Sequence, residues 1–192
     1  MTVTSPPAVE PITVDNLTSN LQIAHTDDDT LFTSLIKAAR MSAEKYTGRA
    51  FITQTRKAYY VDHSNIINLP YAPIQSVTSV TRKRYDQSTA LTVDSDYYVQ
   101  GNDRKFLRMA TLGTTQPGIS VKDFAFPYDL EVVYVCGYGD AASDVPQDII
   151  EAVSKIAATL YLVQDETGLN AGNVDAMIPF SAKMLLDPYM VL

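Results

Sequence analysis

The sequence predicts an α+β fold: a small helical bundle of two long amphipathic helices plus short terminal helices, with an antiparallel β-meander or barrel-like sheet inserted between them. Three observations predict it. Apolar residues recur at three- and four-residue spacing from Asp28 to Thr47 and again from Pro146 to Gln164. Between these stretches, from Phe51 to Cys136, the pattern changes to short runs rich in Thr, Val, Ile and Tyr, separated by turn-forming residues. The chain has 192 residues, enough for one domain with a substantial core.

In chain order, residues 1–12 carry Pro6, Pro7 and Pro11 among polar neighbours and read as an extended arm without packed structure. Thr13–Ile23 is a short helix, with Val14, Leu17 and Leu21 on one face and Thr13 as its cap. Asp27, Asp28 and Asp29 stand where the positive end of a helix dipole favours them, opening a helix over 28–47. Its apolar side takes Leu31, Leu35 and Ala39 with Phe32, Ile36, Ala43 and Tyr46, and Gly48 stops it.

Strand-like runs follow at Phe51–Asp62, Ile66–Leu69, Ile74–Arg84, Tyr97–Gln100, Lys105–Arg108 and Leu130–Cys136. Turns fall at Asp62–Asn65, Pro70–Pro73, Gly101–Asp103 and Gly113–Gly118. In the last run Leu130, Val132, Tyr134 and Cys136 alternate with Glu131, Val133 and Val135, so it is expected to be covered on both faces. Pro146 fits the first position of the helix 146–164, with Asp148 and Glu151 suiting its N-terminal dipole. Its stripe is Ile149, Val153, Ile156, Leu160 and Val163, widened by Ile150, Ala157 and Tyr161. Asp165–Ala176 reads as a mobile Gly/Asn-rich loop, and Pro179–Asp187 as a last short helix stopped before Pro188. The expected organisation is therefore an arm over 1–12, a single domain over 13–164, and a loop, helix and tail over 165–192.

The composition excludes several classes of function. No run approaches ~18 consecutive apolar residues, so no membrane span is expected. Met1–Glu10 lacks the basic start and apolar stretch of a secretory leader. Cys136, the only cysteine, is expected as a buried, inert thiol. Net charge is −7, against a general binder of nucleic acid held by phosphate neutralisation. From Lys37 to Lys122 lie 13 of the 15 Lys and Arg residues against 6 acids, while the remaining ends carry 2 bases against 16 acids. Such a chain either stacks on copies of itself by opposite charge or simply carries clustered, solvated charges.

The search for chemistry yields little. His25 and His63 stand in unrelated segments, and Asp27-Asp28-Asp29 lacks the downstream Gly and Glu of a calcium loop, so no catalytic residue, metal or cofactor is expected. Gly137-Tyr138-Gly139 lacks the third glycine of a dinucleotide loop and the Lys of a P-loop, and reads as a strand-to-helix turn needing two permissive backbone positions. Arg82-Lys83-Arg84 with Tyr85 is the one compact basic run. It is either a phosphate contact with a stacking tyrosine or a solvated rim, and Arg104, Lys105 and Arg108 extend it if their hairpin lies alongside. Past the loop, Phe180, Met184, Leu185, Tyr189, Val191 and Leu192 concentrate apolar surface in a tail that either folds back onto its own core or docks into a partner's groove.

The two helical cassettes, Leu69-Pro70-Tyr71-Ala72-Pro73-Ile74-Gln75-Ser76-Val77 and the ending Ile178-Pro179-Phe180 through Leu185-Leu186-Asp187-Pro188-Tyr189 occur in an order that resembles the head–tail connector (head-completion adaptor) proteins of tailed bacteriophages, prophages and gene transfer agents. The resemblance runs from Val14 to Tyr189 and departs at Arg82–Arg84 and in the length of Gly113–Asp129. It implies a non-enzymatic virion protein at the head–tail interface, assembled in the host cytoplasm as a ring of commonly twelve copies beneath the portal. Such a ring prolongs the DNA channel without sequence-specific binding, receives a stopper or tail-completion protein, and has no membrane contact. It also implies that Pro179, Phe180, Met184, Leu185, Leu186, Pro188, Tyr189, Val191 and Leu192 grip the portal. Arg82, Lys83, Arg84, Arg104, Lys105 and Arg108 are the candidates for lumen or inter-subunit contacts. The rival readings are a nucleic-acid-binding module using the basic middle, a stopper or tail-completion protein and, more remotely, a small enzyme.

Overall fold

The computed structural model describes residues 1–61, 65–84, 87–110, 129–162 and 178–191. The expected turns at Asp62–Asn65 (all but Asn65) and Gly113–Gly118, the loop 165–176, and the residues His63, Tyr85, Val163 and Leu192 lie outside these. The fold is α+β, with antiparallel sheets and four α-helices among the described residues. Where the sequence suggested one domain with an arm and a tail, the chain divides into two compact units, one formed by 1–6 and 54–137, the other by 7–53 and 138–192.

The described elements of the first unit are strands. Its strands are β1 (Thr2–Ser5), β2 (Gln54–Tyr60), β3 (Ile66–Asn68), β4 (Ile74–Arg84), β5 (Gln87–Leu91), β6 (Tyr97–Gln100), β7 (Phe106–Met109) and β8 (Asp129–Cys136). One sheet runs β1-β2-β8-β4-β5 and a second β3-β7-β6, every neighbouring pair antiparallel. Neither sheet closes among the described residues, so the barrel-like expectation is corrected to two open sheets. The period of two places Leu130, Val132, Tyr134 and Cys136 of β8 in the core with Ala58 and Val80, while Glu131, Val133 and Val135 on the other face are half-buried. The expected full cover on both faces is therefore realised on one. Tyr134, the largest buried side chain, donates its hydroxyl to the Pro70 carbonyl at 2.9 Å, and burial pushes that hydroxyl's pKa up. Cys136 is buried as expected.

Two strands were not expected. Residues 1–12 do not form a free arm: Thr2–Ser5 pairs with β2, Ile12 is buried, and Glu10 forms an ion pair with Arg40. β5 pairs with the second half of β4. Conversely, the run expected to start at Phe51 becomes strand only at Gln54, because Phe51 and Ile52 are buried in the helical unit.

The second unit holds α1 (Val14–Leu21), α2 (Asp29–Thr47), α3 (Gln147–Leu162) and α4 (Phe180–Leu186). Their shared core includes Leu17, Phe32, Ile36, Ala39, Ala43, Ile149, Val153, Ile156, Ala182 and Leu186. α1 starts as expected, its Thr13 hydroxyl accepting from the Asn16 amide at 3.2 Å. Leu31 of α2 falls outside the buried stripe and is exposed. Gly48 ends α2 at φ +68°, a left-handed conformation that a side chain disfavours, with its N–H on the Glu44 carbonyl at 2.9 Å.

The aspartate cluster works differently from the simple cap expected of it. Asp28 makes no side-chain cap bond; its carboxylate instead accepts the Tyr161 hydroxyl at 3.0 Å, beside a Phe32–Tyr161 ring contact at 4.7 Å. Pro146 precedes α3 rather than opening it, its carbonyl accepting from the Ile149 and Ile150 amides. At the preceding turn Gly137 has φ +131°, and a Cβ on Gly139 would overlap the Asp144 carboxylate, so the two glycines serve two different needs. Inside α2, buried Arg40 lies between Glu10 at 2.6 Å and Glu44 at 3.1 Å, and Glu44 also accepts from the Phe51 amide at 3.0 Å. Those bonds tie α2 to the segments on either side of it.

Candidate functional site

Two sets of residues were candidates for contact with other molecules: the C-terminal tail and the basic residues of the middle. The tail alternatives are resolved for the chain by itself. α4 folds back, burying Ala182 and Leu186 completely against the helical core, with Leu185 and Tyr189 packed at its margin. α4 stops before Pro188, as expected, and a 3-10 turn, Asp187–Tyr189, carries the chain on through it. Four polar contacts then fasten the segment. The Tyr46 hydroxyl donates to Asp187 at 2.6 Å, the Arg49 guanidinium to the Tyr189 carbonyl at 2.7 Å, the Val191 amide to the Thr47 carbonyl at 2.8 Å, and the Tyr189 hydroxyl to Asp148 at 3.4 Å. The carboxylate beside each hydroxyl contributes to raising the pKa of Tyr46 and Tyr189, the hydrogen bond to Asp187 being the main cause for Tyr46 and burial for Tyr189.

Leu186, Leu185, Tyr189 and Val191 thus serve the chain's own fold. Pro179 caps α4, and Pro188 is exposed within the turn. What remains outward is one face of α4: Phe180 is 78 % exposed and Met184 60 % exposed, four residues apart and so one above the other. The helix thus buries one apolar stripe and presents another.

The basic residues do not form one patch. On β4 the strand period splits the run. Lys83 lies on the face of Glu131, whereas Arg82 stands opposite Leu130, on the face that buries Leu130 and Val132. Lys83 is bonded to Glu131 at 2.7 Å, and Lys57 reaches the other oxygen of the same carboxylate at 3.3 Å. The Tyr59 ring lies 5.3 Å from the Lys83 ammonium and 6.0 Å from that of Lys57. Hydrogen bonds from Lys83 and Tyr59, then Lys57, hold the Glu131 carboxyl well below its ordinary range, at about 2.

Lys105 sits at the other end of β4, where its ammonium donates to the Gln75 carbonyl at 2.5 Å and the Ile74 amide donates to the Asp103 carbonyl at 3.0 Å. Lys83 lies eight strand positions beyond Gln75, about 26 Å at ~3.3 Å each. Arg108 belongs to the three-stranded sheet, exposed between Ile66 and Tyr98. Arg104 is exposed in the hairpin beside Lys105. The hairpin therefore does not extend the Arg82–Arg84 run.

The charge segregation seen along the sequence also changes in three dimensions. The β unit carries 9 bases against 8 acids and the helical unit 6 against 14, because Lys37, Arg40, Lys45 and Arg49 belong to the acidic helical unit. His25 is exposed in the segment between α1 and α2, and no group of His, Cys, Asp and Glu suited to a metal ion occurs among the described residues.

Comparison with known proteins gives the chain a fold and a family. No curated protein matches the sequence. Among solved structures, a chain from the neck of an empty gene transfer agent (GTA) particle, determined with C6 symmetry, superposes with a TM-score of 0.72 at 20 % identity, covering 100 % of this chain and 96 % of that one. A chain of the virion of a native gene transfer agent particle gives 0.71 at 21 % identity with the same coverage. One from the native GTA neck, determined with C12 symmetry, gives 0.68 at 21 % identity. The fold is thus one used in particle necks. Residues 11–106, half of the chain, match the sequence profile of the phage gp6-like head-tail connector proteins, and the chain belongs to that family of structural connectors.

Proposed function

We propose that this chain is the adaptor subunit of a head–tail connector ring. Copies, twelve on this reading, assemble beneath a portal, prolong the DNA channel without reading sequence, and receive a stopper or tail-completion protein below. The protein acts at the head–tail interface of the virion after assembly in the host cytoplasm. The helices act as one bundle that carries the portal contact. Family membership supports the reading, and one observation carries it: α4 is seated by Ala182 and Leu186 yet presents Phe180 and Met184 outward. Docking then needs only cover for a preformed stripe, at small cost in ordering the chain. The remaining described tail residues, Pro179, Leu185, Pro188, Tyr189 and Val191, act as the mount that fixes its angle.

The test is co-elution of the chain with its portal ring on size exclusion, comparing the parent with the Phe180→Ser/Met184→Ser double variant. Deleting the whole tail is the poorer test, because it strips Ala182 and Leu186 from the core. Binding by the parent and its loss in a folded double variant is the expected result; equal binding by both removes α4 from the contact, and no binding by either removes the portal assignment.

A nucleic-acid-binding role is the second reading, and the split of the basic run disfavours it. It predicts affinity for duplex DNA falling steeply with salt; the adaptor reading predicts none above that of a generic acidic protein.

A further inference from the structure

The five-stranded sheet ends in two strands that no described strand covers, β1 and β5. All of β1 is exposed, and so is β5 up to the half-exposed Leu91. Open edges are normally guarded by Lys, Pro or inward charge, since their unpaired N–H and C=O groups invite another strand. Neither Thr2-Val3-Thr4-Ser5 nor Gln87-Ser88-Thr89-Ala90-Leu91 carries a charge or a proline, and the one irregularity is a register shift between Val3 and Ser5. A cyclic ring needs two different surfaces on each subunit that fit each other. Two edges of one sheet that carry neither charge nor proline meet that requirement.

We propose that copies of this chain join edge to edge, β5 of one beside β1 of the next, so that the five-stranded sheets form one continuous sheet around the ring. The inference rests on the ring reading above. Its geometry follows from the strand pairing. Each strand is antiparallel to its neighbour, so in a sheet of five the two edges run in the same direction. Rotation through the small angle between ring neighbours does not reverse a strand, and the joint is therefore parallel.

The two edges are also staggered. Val3 lies opposite Arg56, which faces Tyr134, whereas Thr89 lies opposite Arg82, which faces Leu130. Four residues of β8 separate those rows, about 13 Å, against about 24 Å for five inter-strand spacings including the joint. Closing the ring cancels the stagger by tilting the strands about 30° from the ring axis, close to the tilt of closed barrels. Because the stagger is an even number of residues, Val3 and Thr89 point to the same face and the pleat continues across the joint. Each step advances about 27 Å, so twelve copies make a circle about 100 Å across. A joint of four residues is weak alone, which keeps the free chain from polymerising and makes the contact depend on a portal that gathers the copies.

Cysteine pairs test this in the portal-bound ring, with buried Cys136 left in place. Val3→Cys/Thr89→Cys and Thr2→Cys/Ser88→Cys sit opposite each other in the parallel joint, whereas Thr2→Cys/Ala90→Cys is the pair an antiparallel joint would bring together. Mild oxidation is expected to give a ladder of covalent multimers for the first two and at least tenfold less for the third. A ring that forms on the portal without a ladder from either parallel pair overturns the edge-to-edge joint and leaves the adaptor reading standing. Val3→Cys/Thr89→Cys is opposed in either direction, so a ladder from Thr2→Cys/Ala90→Cys with none from Thr2→Cys/Ser88→Cys overturns the parallel geometry. Failure of the parent to co-elute with the portal defeats the ring reading itself, and the joint with it.

Discussion

Removing Phe180 and Met184 separates what α4 does for its own chain from what it does for a partner. Phe180 is 78 % exposed. Of the ~200 Å² a Phe side chain can bury, about 45 Å² is buried in the free chain, or about 1 kcal/mol at ~25 cal/mol/Å². The remaining ~155 Å² is available to a partner and sets a ceiling of about 4 kcal/mol. Association costs reduce the realised part, so Phe180→Ser is expected to lower portal affinity by about 2 kcal/mol, roughly thirtyfold per subunit. Met184→Ser adds a smaller loss. Ser and Phe have similar helix propensity, so the helix itself is little disturbed. Urea unfolding followed by circular dichroism should show the double variant within about 1.5 kcal/mol of the parent, while titration of labelled chain against the portal ring shows the loss of affinity. Two results would refute the reasoning. A stability loss above about 3 kcal/mol would mean these side chains are core in solution, and unchanged affinity in a stable variant would mean the stripe faces nothing.

The complementary substitution, Leu186→Ala, should cost about 3 kcal/mol of stability by urea titration, because Leu186 is completely buried. Arg40→Ala should cost about 3 kcal/mol, since it removes a buried guanidinium that pairs with both Glu10 and the buried Glu44 carboxylate; thermal unfolding beside a surface control such as Lys37→Ala measures it. Glu131 governs an acid transition. Its carboxyl titrates near 2 in the fold against an ordinary 4.5, so the stabilisation is present above about 4.5 and drains away as the pH falls toward 2. Urea midpoints of the parent should therefore drop more steeply across that window than those of Glu131→Gln, and identical slopes would dissolve the Lys57–Glu131–Lys83 cluster as a stabilising unit.

How much of this was legible in the sequence depends on where each signal resides. α2 was readable because its start, stripe and stop are local: an aspartate-rich opening, apolar residues at helical spacing and Gly48. β1 was not, because four neutral residues become a strand only by pairing with β2 some fifty positions away, and proline neighbours argue locally for an arm. β5 hid for the same reason: Gln87–Leu91 is polar and exposed, with no apolar alternation to show. The tail shows the limit most clearly. Composition marked Phe180, Met184, Leu185, Tyr189 and Val191 equally as apolar, but only the helical turn that puts Ala182 and Leu186 inward leaves Phe180 and Met184 outward.

The basic run teaches the converse. Arg82, Lys83 and Arg84 are contiguous in sequence, which suggests a patch, yet a strand sends alternate residues to opposite faces and so divides any such run. Contiguity makes a charged patch only in a loop or at a helix terminus; on a strand the patch must be sought across neighbours. There Lys57, Tyr59 and Lys83 converge on Glu131 from two strands that flank β8, and both ammonium groups are engaged by its one carboxylate. On the adaptor reading proposed above, in which DNA slides past the ring, lysines already engaged by a carboxylate are the better arrangement: they hold the sheet together without gripping phosphate.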